Sequence, residues 1–75
     1  MTLFDGQKDC VYKIKRLNFK EENAKVRLSC MGVIAGSKVT VIGKKETGGL
    51  LIQLDNKQIG LCRTFADGIE IEEVS

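Results

Sequence analysis

The sequence contains no histidine and no tryptophan. Without histidine, the chain lacks the commonest general base and the commonest metal ligand of proteins. It also has no Gly-x-Ser-x-Gly elbow and no glycine-rich nucleotide motif. These absences argue against most enzyme classes, and we expect neither a catalytic residue nor a cofactor. Aromatic residues, which RNA-binding modules use for base stacking, are few: Phe4, Tyr12, Phe19 and Phe65.

The chain also has little excess of basic over acidic residues. Twelve Lys and Arg residues face ten Asp and Glu residues, so the net charge is only +2. Proteins that bind a phosphate backbone usually carry a stronger basic excess. With 43% hydrophobic and 29% charged residues, the composition is typical of a folded domain rather than a disordered tail. We expect one domain over residues 1–75.

Cysteine is present but not in the spacings of a metal or disulfide scaffold. Cys10, Cys30 and Cys62 form no CxxC pair, and their odd number leaves one thiol without a partner. No signal peptide or long apolar segment occurs, so we expect a cytoplasmic protein that does not insert into membranes. The thiols are interpreted as small buried hydrophobic groups. A three-thiolate metal site is the alternative.

Hydrophobic periodicity predicts one short helix near the N-terminus. Asn18 is the expected N-cap with Glu21 as its reciprocating acid. An apolar stripe of Ala24, Leu28 and Met31 follows, with the spacing of one helical face. Gly32 is expected to end the helix in a left-handed conformation.

Alternating patterns predict about five strands. The first covers residues 10–17 with a break near Arg16, and the second covers 38–46 with a bend at Gly43. Residues 64–68 are too short for more than one helical turn. The fold class is therefore mainly β, a small closed or nearly closed barrel with the helix between the first two strands. A turn at 47–49 follows the second strand and leads into a third strand at 50–54. A turn at 55–57 leads into a fourth strand at 59–61, and the fifth strand covers 69–72.

A glycine turn at Gly36 leads into an alternating strand with Val39 and Val41. This arrangement is common in SH3-like barrels, including ribosome-associated ones that bind RNA. RNA or ribosome binding is therefore the alternative function. Its candidate surface is a basic patch near the hairpin tips, formed by Lys38, Lys44, Lys45 and Lys57.

Residues 27–39 read RLSCMGVIAGSKV. This stretch resembles the FeoA family of small bacterial ferrous-iron transport proteins, whose pattern there is approximately Arg-Leu-x-x-Met/Leu-Gly-hydrophobic-x-Pro-Gly-x-x-Val. A downstream family pattern, a Leu followed by Ala-x-x-Ile-x-Val, is similar to Leu61, Ala66, Ile69 and Ile71. Two positions depart from the family. Ala35 replaces a favoured proline, and Cys62 lies where basic residues are common. The residues that match the first pattern in register are Arg27, Leu28, Met31, Gly32, Gly36 and Val39.

The resemblance implies an SH3-like barrel with an inserted helix, a fold also found as a C-terminal domain of iron-dependent repressors. It further implies a cytoplasmic accessory protein of FeoB, the membrane ferrous-iron transporter with a GTPase domain on its cytoplasmic side. Direct binding of ferrous iron is the third hypothesis, although only carboxylates and scattered thiols are available as ligands. No nucleic acid is expected, and the oligomeric state is left open.

Partner contact is predicted at two places. The first is the turn after the helix, where an apolar pair is either core or an exposed anchor beside a basic residue. The second is the first hairpin tip, because loops on a rigid barrel often carry contacts. The candidate residues are Arg27, Met31, Val33 and Ile34 at the turn, and Thr47, Gly48 and Gly49 at the tip.

Overall fold

A computed structural model of the chain describes residues 1–46 and 48–74. A 3₁₀ helix at Leu3–Asp5 precedes strand β1, and two α-helices interrupt the strands. The bounds are β1 Val11–Leu17, α1 Glu22–Cys30, β2 Lys38–Lys44, β3 Leu50–Leu54, β4 Lys57–Leu61, α2 Arg63–Gly68 and β5 Ile69–Glu73.

Within the described residues, all five strands belong to one antiparallel sheet in the order β4-β3-β2-β1-β5. The register between β1 and β5 shifts between Ile14 and Arg16, which confirms the predicted break. A second shift between Val41 and Gly43 bends β2 against β3, as the glycine indicated. The mainly β fold with one helix between the first two strands is confirmed.

The core is built from the alternating residues of the strands, one residue from each helix and Val33 from the loop after α1. β3 shows the pattern most clearly, since Leu50, Ile52 and Leu54 are buried while Gln53 is exposed. Leu3 was not predicted to be in the core, because one buried residue on a short 3₁₀ helix leaves no periodic signal. The other buried residues are Tyr12, Ile14, Leu28, Val33, Val39, Val41, Leu61, Ala66, Ile69 and Ile71.

The predicted start of α1 is wrong. Glu21, not Asn18, is the N-cap, and no side-chain hydrogen bond closes this end. Because β1 pairs with β5 as far as Leu17 and Ile69, Asn18 is held beside β5 instead. Its backbone N–H donates to the Gly68 carbonyl at 2.7 Å, and its Nδ2 donates to Glu70 Oε2 at 3.1 Å.

The end of α1 follows the prediction. Gly32 has a φ of +90°, and its N–H donates to the Ser29 carbonyl at 2.9 Å. The Val33 N–H donates to the Leu28 carbonyl at 2.8 Å. This bond pattern is a Schellman motif, in which apolar side chains at the positions of Leu28 and Val33 often contact each other. Leu28 and Val33 are accordingly both fully buried.

Helix α2 has six residues, more than the single turn that the sequence predicted. The helix packs closely against the rest of the fold. Phe65 meets Phe19 edge-to-face with ring centroids 5.8 Å apart, and Ala66 is buried. At Gly68 a Cβ would collide with the Phe19 ring, so the absent side chain permits this close approach.

Candidate interaction surfaces

Three of the predicted contact residues are exposed near the end of α1. Arg27, Met31 and Ile34 form what we call the α1-exit patch. Arg27 and Met31 are four positions apart, so they project from the same side of the helix. Met31 is 37% exposed and Ile34 is 47% exposed. An apolar side chain at that exposure is available to a partner.

Val33 was predicted as part of this contact and has to be removed from it. Its side chain has no exposed surface. The Schellman motif directs Val33 inward onto Leu28, and Ile34 then emerges on the outside. The adjacent apolar residues therefore divide into one core residue and one surface residue.

The loop that carries Ile34 is held in place by hydrogen bonds at both ends. Gly36 N–H donates to the Ile14 carbonyl at 2.8 Å, and Ile14 N–H donates to the Ser37 carbonyl at 2.8 Å. The Ser37 hydroxyl donates to the Gly32 carbonyl at 3.2 Å. Because β1 anchors the loop, the backbone that carries Ile34 is preorganised, which reduces the entropy lost on binding.

The second predicted contact is the β2–β3 hairpin tip. Gly48 has a φ of +94°, which favours glycine at this position. The tip is closed by the Lys45 N–H, which donates to the Gly49 carbonyl at 2.8 Å. Thr47 was predicted here as well but lies outside the described residues. Gly48 and Gly49 are both half-buried.

Gly48 and Gly49 line one wall of an open groove of about 310 Å³. β4 reaches the same place because Leu61 pairs with Leu50, at the start of β3. Sequence reasoning missed the residues that follow β4, since their approach to the tip depends on strand pairing rather than on any local motif. We call this the tip groove; it is lined by Lys45, Gly48, Gly49, Gly60, Leu61, Cys62 and Arg63.

Positive charge is concentrated beside the tip groove. The Lys44 Nζ and the Arg63 Cζ each lie 4.8 Å from the centroid of the Phe4 ring. Such cation–π contacts hold both side chains near one aromatic group. Arg63 also contacts Asp67 at 3.6 Å, with both side chains exposed, so its charge is screened by solvent rather than buried.

The α1-exit patch and the tip groove do not form one surface. The α1-exit loop leads into β2 at Lys38, whereas the tip follows Lys44 at the other end. Seven residues of strand separate them, which corresponds to about 20 Å at about 3.3 Å per residue.

The predicted lysine patch is divided in the same way. Lys44 and Lys45 lie at the β2–β3 tip, whereas Lys38 begins β2 and Lys57 follows the opposite turn. Nor are the aromatic residues available for stacking. Tyr12 is buried, and the three phenylalanines are partly buried against the core. Within residues 1–46 and 48–74, these lysines and aromatic residues therefore form no continuous surface of the kind that RNA modules use.

The interpretation of the thiols as buried groups is wrong for two of them. Cys30 and Cys62 are exposed, and Cys10 is partly buried. Cys30 lies in the last turn of α1 and Cys62 in the tip groove. Across residues 1–46 and 48–74, no cluster of three metal-ligating side chains is present.

Two carboxylates, one local and one between strands, accept hydrogen bonds. The Thr2 N–H donates to Asp5 Oδ2 at 3.0 Å and lowers the pKa of Asp5, with a further bond from the Thr2 hydroxyl. The Asn18 amide lowers the pKa of Glu70, and Arg16 at 3.2 Å adds to this effect. Neither carboxylate has the raised pKa that a general acid requires near neutral pH.

None of the helices in the described part of the chain is long and apolar enough to cross a membrane.

The FeoA domain family model matches residues 1–73 of the chain. The chain belongs to the FeoA domain family. The match covers every strand and both α-helices. The resemblance seen in residues 27–39 and in the downstream pattern is therefore confirmed. No curated protein matches this FeoA-family chain in sequence.

Solved structures share the fold of this FeoA-family chain. Iron(II) transport protein A from Clostridium thermocellum has 28% sequence identity and a TM-score of 0.88 over 99% of this chain. Stenotrophomonas maltophilia FeoA has 22% sequence identity and a TM-score of 0.80, and the match covers 96% of this chain and 89% of that protein. That protein was solved with zinc and is described as an SH3 domain protein that is a candidate ferrous iron transport activating factor. The SH3-like fold class is thereby confirmed.

A manganese-dependent transcriptional repressor contains the same fold, with 15% identity over 97% of this chain and a TM-score of 0.89. This chain spans 40% of that repressor and 46% of the Clostridium protein. At these identities the likeness to the repressor and to the Stenotrophomonas protein concerns the fold alone.

Proposed function

We propose that this chain is a cytoplasmic accessory protein of bacterial ferrous iron uptake that binds the cytoplasmic side of the FeoB transporter and modulates its activity. It acts by contact and carries out no reaction of its own. The observation that carries the proposal is the exposed Ile34, held on an anchored loop of a chain that belongs to the FeoA family.

The composition and the electrostatics both support a role by contact. The chain has no histidine, and the pKa values of the Asp5 and Glu70 carboxyls are lowered by hydrogen bonds within the fold. A general acid or base near neutral pH needs the opposite shift. Accessory function therefore fits the side chains better than catalysis does.

The α1-exit patch is the proposed anchor. Ile34 keeps about half of its surface exposed, so covering it would contribute on the order of 1 kcal/mol, half the effect of burying a whole isoleucine side chain. Met31 adapts its shape to a partner because its side chain is unbranched. Arg27 would add a charged rim to this contact. Thr47, Gly48 and Gly49 at the tip are proposed as a second contact.

Binding to the purified cytoplasmic part of FeoB tests the function, and a pair of substitutions tests the anchor. Ile34→Asp should weaken binding at least about fivefold, because it removes apolar contact and buries a charge. Val26→Asp is the matched control, since Val26 is 56% exposed on α1 but is one position from Arg27 and therefore does not face the same side of the helix as Arg27.

Absence of wild-type binding would contradict the proposed function. Equal binding by wild type and a correctly folded Ile34→Asp variant would exclude the α1-exit patch but leave the function standing. A loss in both Asp variants would point to a nonspecific effect of the added negative charge.

A further inference from the structure

The two edges of the sheet differ. The outer edge of β5 is covered by the N-terminus, because Thr2 pairs with Glu70 and the Ile71 N–H donates to the Met1 carbonyl at 2.9 Å. β4 is the other edge and pairs only with β3. Among the described residues, no other segment forms a backbone hydrogen bond to residues 57–61. β4 is therefore an open edge on a sheet whose opposite edge is closed.

The turn before β4 determines which backbone groups face outward. Asp55 and Asn56 form a two-residue turn, in which Leu54 and Lys57 are the closing hydrogen-bonded pair. Antiparallel ladders alternate between hydrogen-bonded and non-hydrogen-bonded pairs. Gln58 and Gly60 thus direct their N–H and C=O groups away from β3, and both residues are exposed.

Basic side chains flank both ends of this open edge; the acidic neighbours Asp55 and Asp67 are exposed, and Asp67 contacts Arg63 at 3.6 Å. Lys57 begins β4 and Arg63 follows it, and no acidic residue occurs from position 57 to position 66. The Lys45 Nζ would lie 3.7 Å from a Cβ placed on Gly60, so the lysine ammonium lies over the strand itself. The tip groove, with Lys45 and Arg63 in its lining, adjoins the C-terminal end of β4.

We propose that β4 binds an extended acidic segment of a partner protein as an additional strand, with one carboxylate of that segment in the tip groove between Lys45 and Arg63. Backbone hydrogen bonds to Gln58 and Gly60 supply affinity, as in other cases of strand addition. The basic side chains supply the preference for acidic residues. This inference does not depend on which protein carries the segment.

A second copy of this chain is a poorer occupant than an acidic segment. Pairing two β4 strands would bring two sets of Lys45, Lys57 and Arg63 to one interface, where like charges repel each other. Lysine on an edge strand also discourages self-pairing in natural sheets. An acidic strand neutralises the same charges.

Titration of the ¹⁵N-labelled chain with a synthetic peptide of alternating valine and glutamate tests this proposal by NMR. The amide signals of Gln58 and Gly60 should shift, and their hydrogen exchange should slow, because both N–H groups gain acceptors. A valine–lysine peptide of the same length should bind at least about fivefold more weakly. Added salt should weaken binding of the glutamate peptide, since the charges on the protein are exposed.

Two pairs of variants separate the backbone contribution from the charge contribution. Gln58→Pro removes an outward N–H, and proline is tolerated on edge strands; Gln58→Thr keeps the N–H. Lys45→Glu should weaken glutamate-peptide binding about fivefold. Lys13→Glu makes the same charge change on β1, where Lys13 lies between Lys38 and Glu72 in the sheet. Because β1 is three strands from β4, this variant should leave binding unchanged.

Several outcomes would overturn the proposal. These are no shift at about 1 mM glutamate peptide, shifts confined to another surface, or equal binding of both peptides. Concentration-dependent shifts at β4 without any peptide would make a second copy the occupant instead. Loss of binding in Gln58→Pro but not in Gln58→Thr supports strand addition, provided that the proline variant keeps its remaining spectrum.

Discussion

Val33 and Ile34 are neighbours in the chain, yet one is fully buried and the other is 47% exposed. The backbone conformation of Gly32 separates them. With its φ of +90°, Gly32 reverses the chain after α1 so that Val33 turns back onto Leu28. The sequence alone left the apolar pair as either core or contact, because a two-residue run has no periodicity to distinguish inside from outside.

Truncating these two residues should therefore have unequal effects. Val33→Ala should lower the free energy of unfolding by about 2 kcal/mol, since it leaves a cavity in the core. Ile34→Ala should change it by less than about 0.5 kcal/mol, as exposed positions usually do. Urea denaturation of both variants measures the difference, and equal losses would show that Val33 is not a core residue.

The turn glycine should be equally sensitive. A Cβ on Gly32 would lie 2.9 Å from Leu54 Cδ2 in a left-handed backbone conformation, so Gly32→Ala should cost at least about 1–2 kcal/mol. Gly43→Ala is the matched control, because its Cβ would meet nothing within 4 Å. Chemical denaturation should place the Gly43 variant near wild type. A Gly32 variant of unchanged stability would contradict the proposed C-terminal motif.

At the scale of elements, alternation predicted the strands well. β3 was predicted at 50–54 and lies there, and both bulges fall where the pattern breaks or glycine intervenes. The errors concern elements whose ends are set by tertiary contacts. Asn18 resembles an N-cap but is held by Gly68 and Glu70, and α2 packs Phe65 on Phe19. No local pattern encodes contacts of that range.

Two hydrogen-bonded carboxylates make stability depend on pH. Hydrogen bonds from Thr2 lower the pKa of Asp5, and the Asn18 amide followed by Arg16 lowers the pKa of Glu70. A lowered pKa means that the ionised form stabilises the fold above the ordinary carboxyl range. That contribution is lost as the pH falls from about 5 through about 4 and below.

Urea midpoints measured across this pH range should therefore fall toward acid. Asp5→Asn and Glu70→Gln should each flatten the decline, because neither amide titrates. Glu72→Gln is a control on the same strand, β5. In this variant the urea midpoint should still fall toward acid, because Glu70 is unchanged. A wild-type midpoint that rises on acidification would contradict the role of these two carboxylates.

At the scale of the whole molecule, the sheet separates its two proposed contact surfaces. The resemblance of residues 27–39 to a family pattern identified the FeoA family, and the family match over residues 1–73 confirmed it. Lys45, Gly48 and Gly49 of the tip groove were predicted near the hairpin tip, whereas Arg63 was not, because it reaches the groove only through the pairing of β3 with β4. That the chain is one domain over residues 1–75 stays a prediction.

The proposed contact of this FeoA-family chain with FeoB is apolar and lies at the α1-exit patch. The most direct test is an amide chemical-shift map of the ¹⁵N-labelled chain as the purified cytoplasmic part of FeoB is added. We expect saturable shifts that include the amides of Arg27, Met31 and Ile34 and that are lost with Ile34→Asp. A spectrum that does not change at saturating FeoB concentrations would contradict the claim.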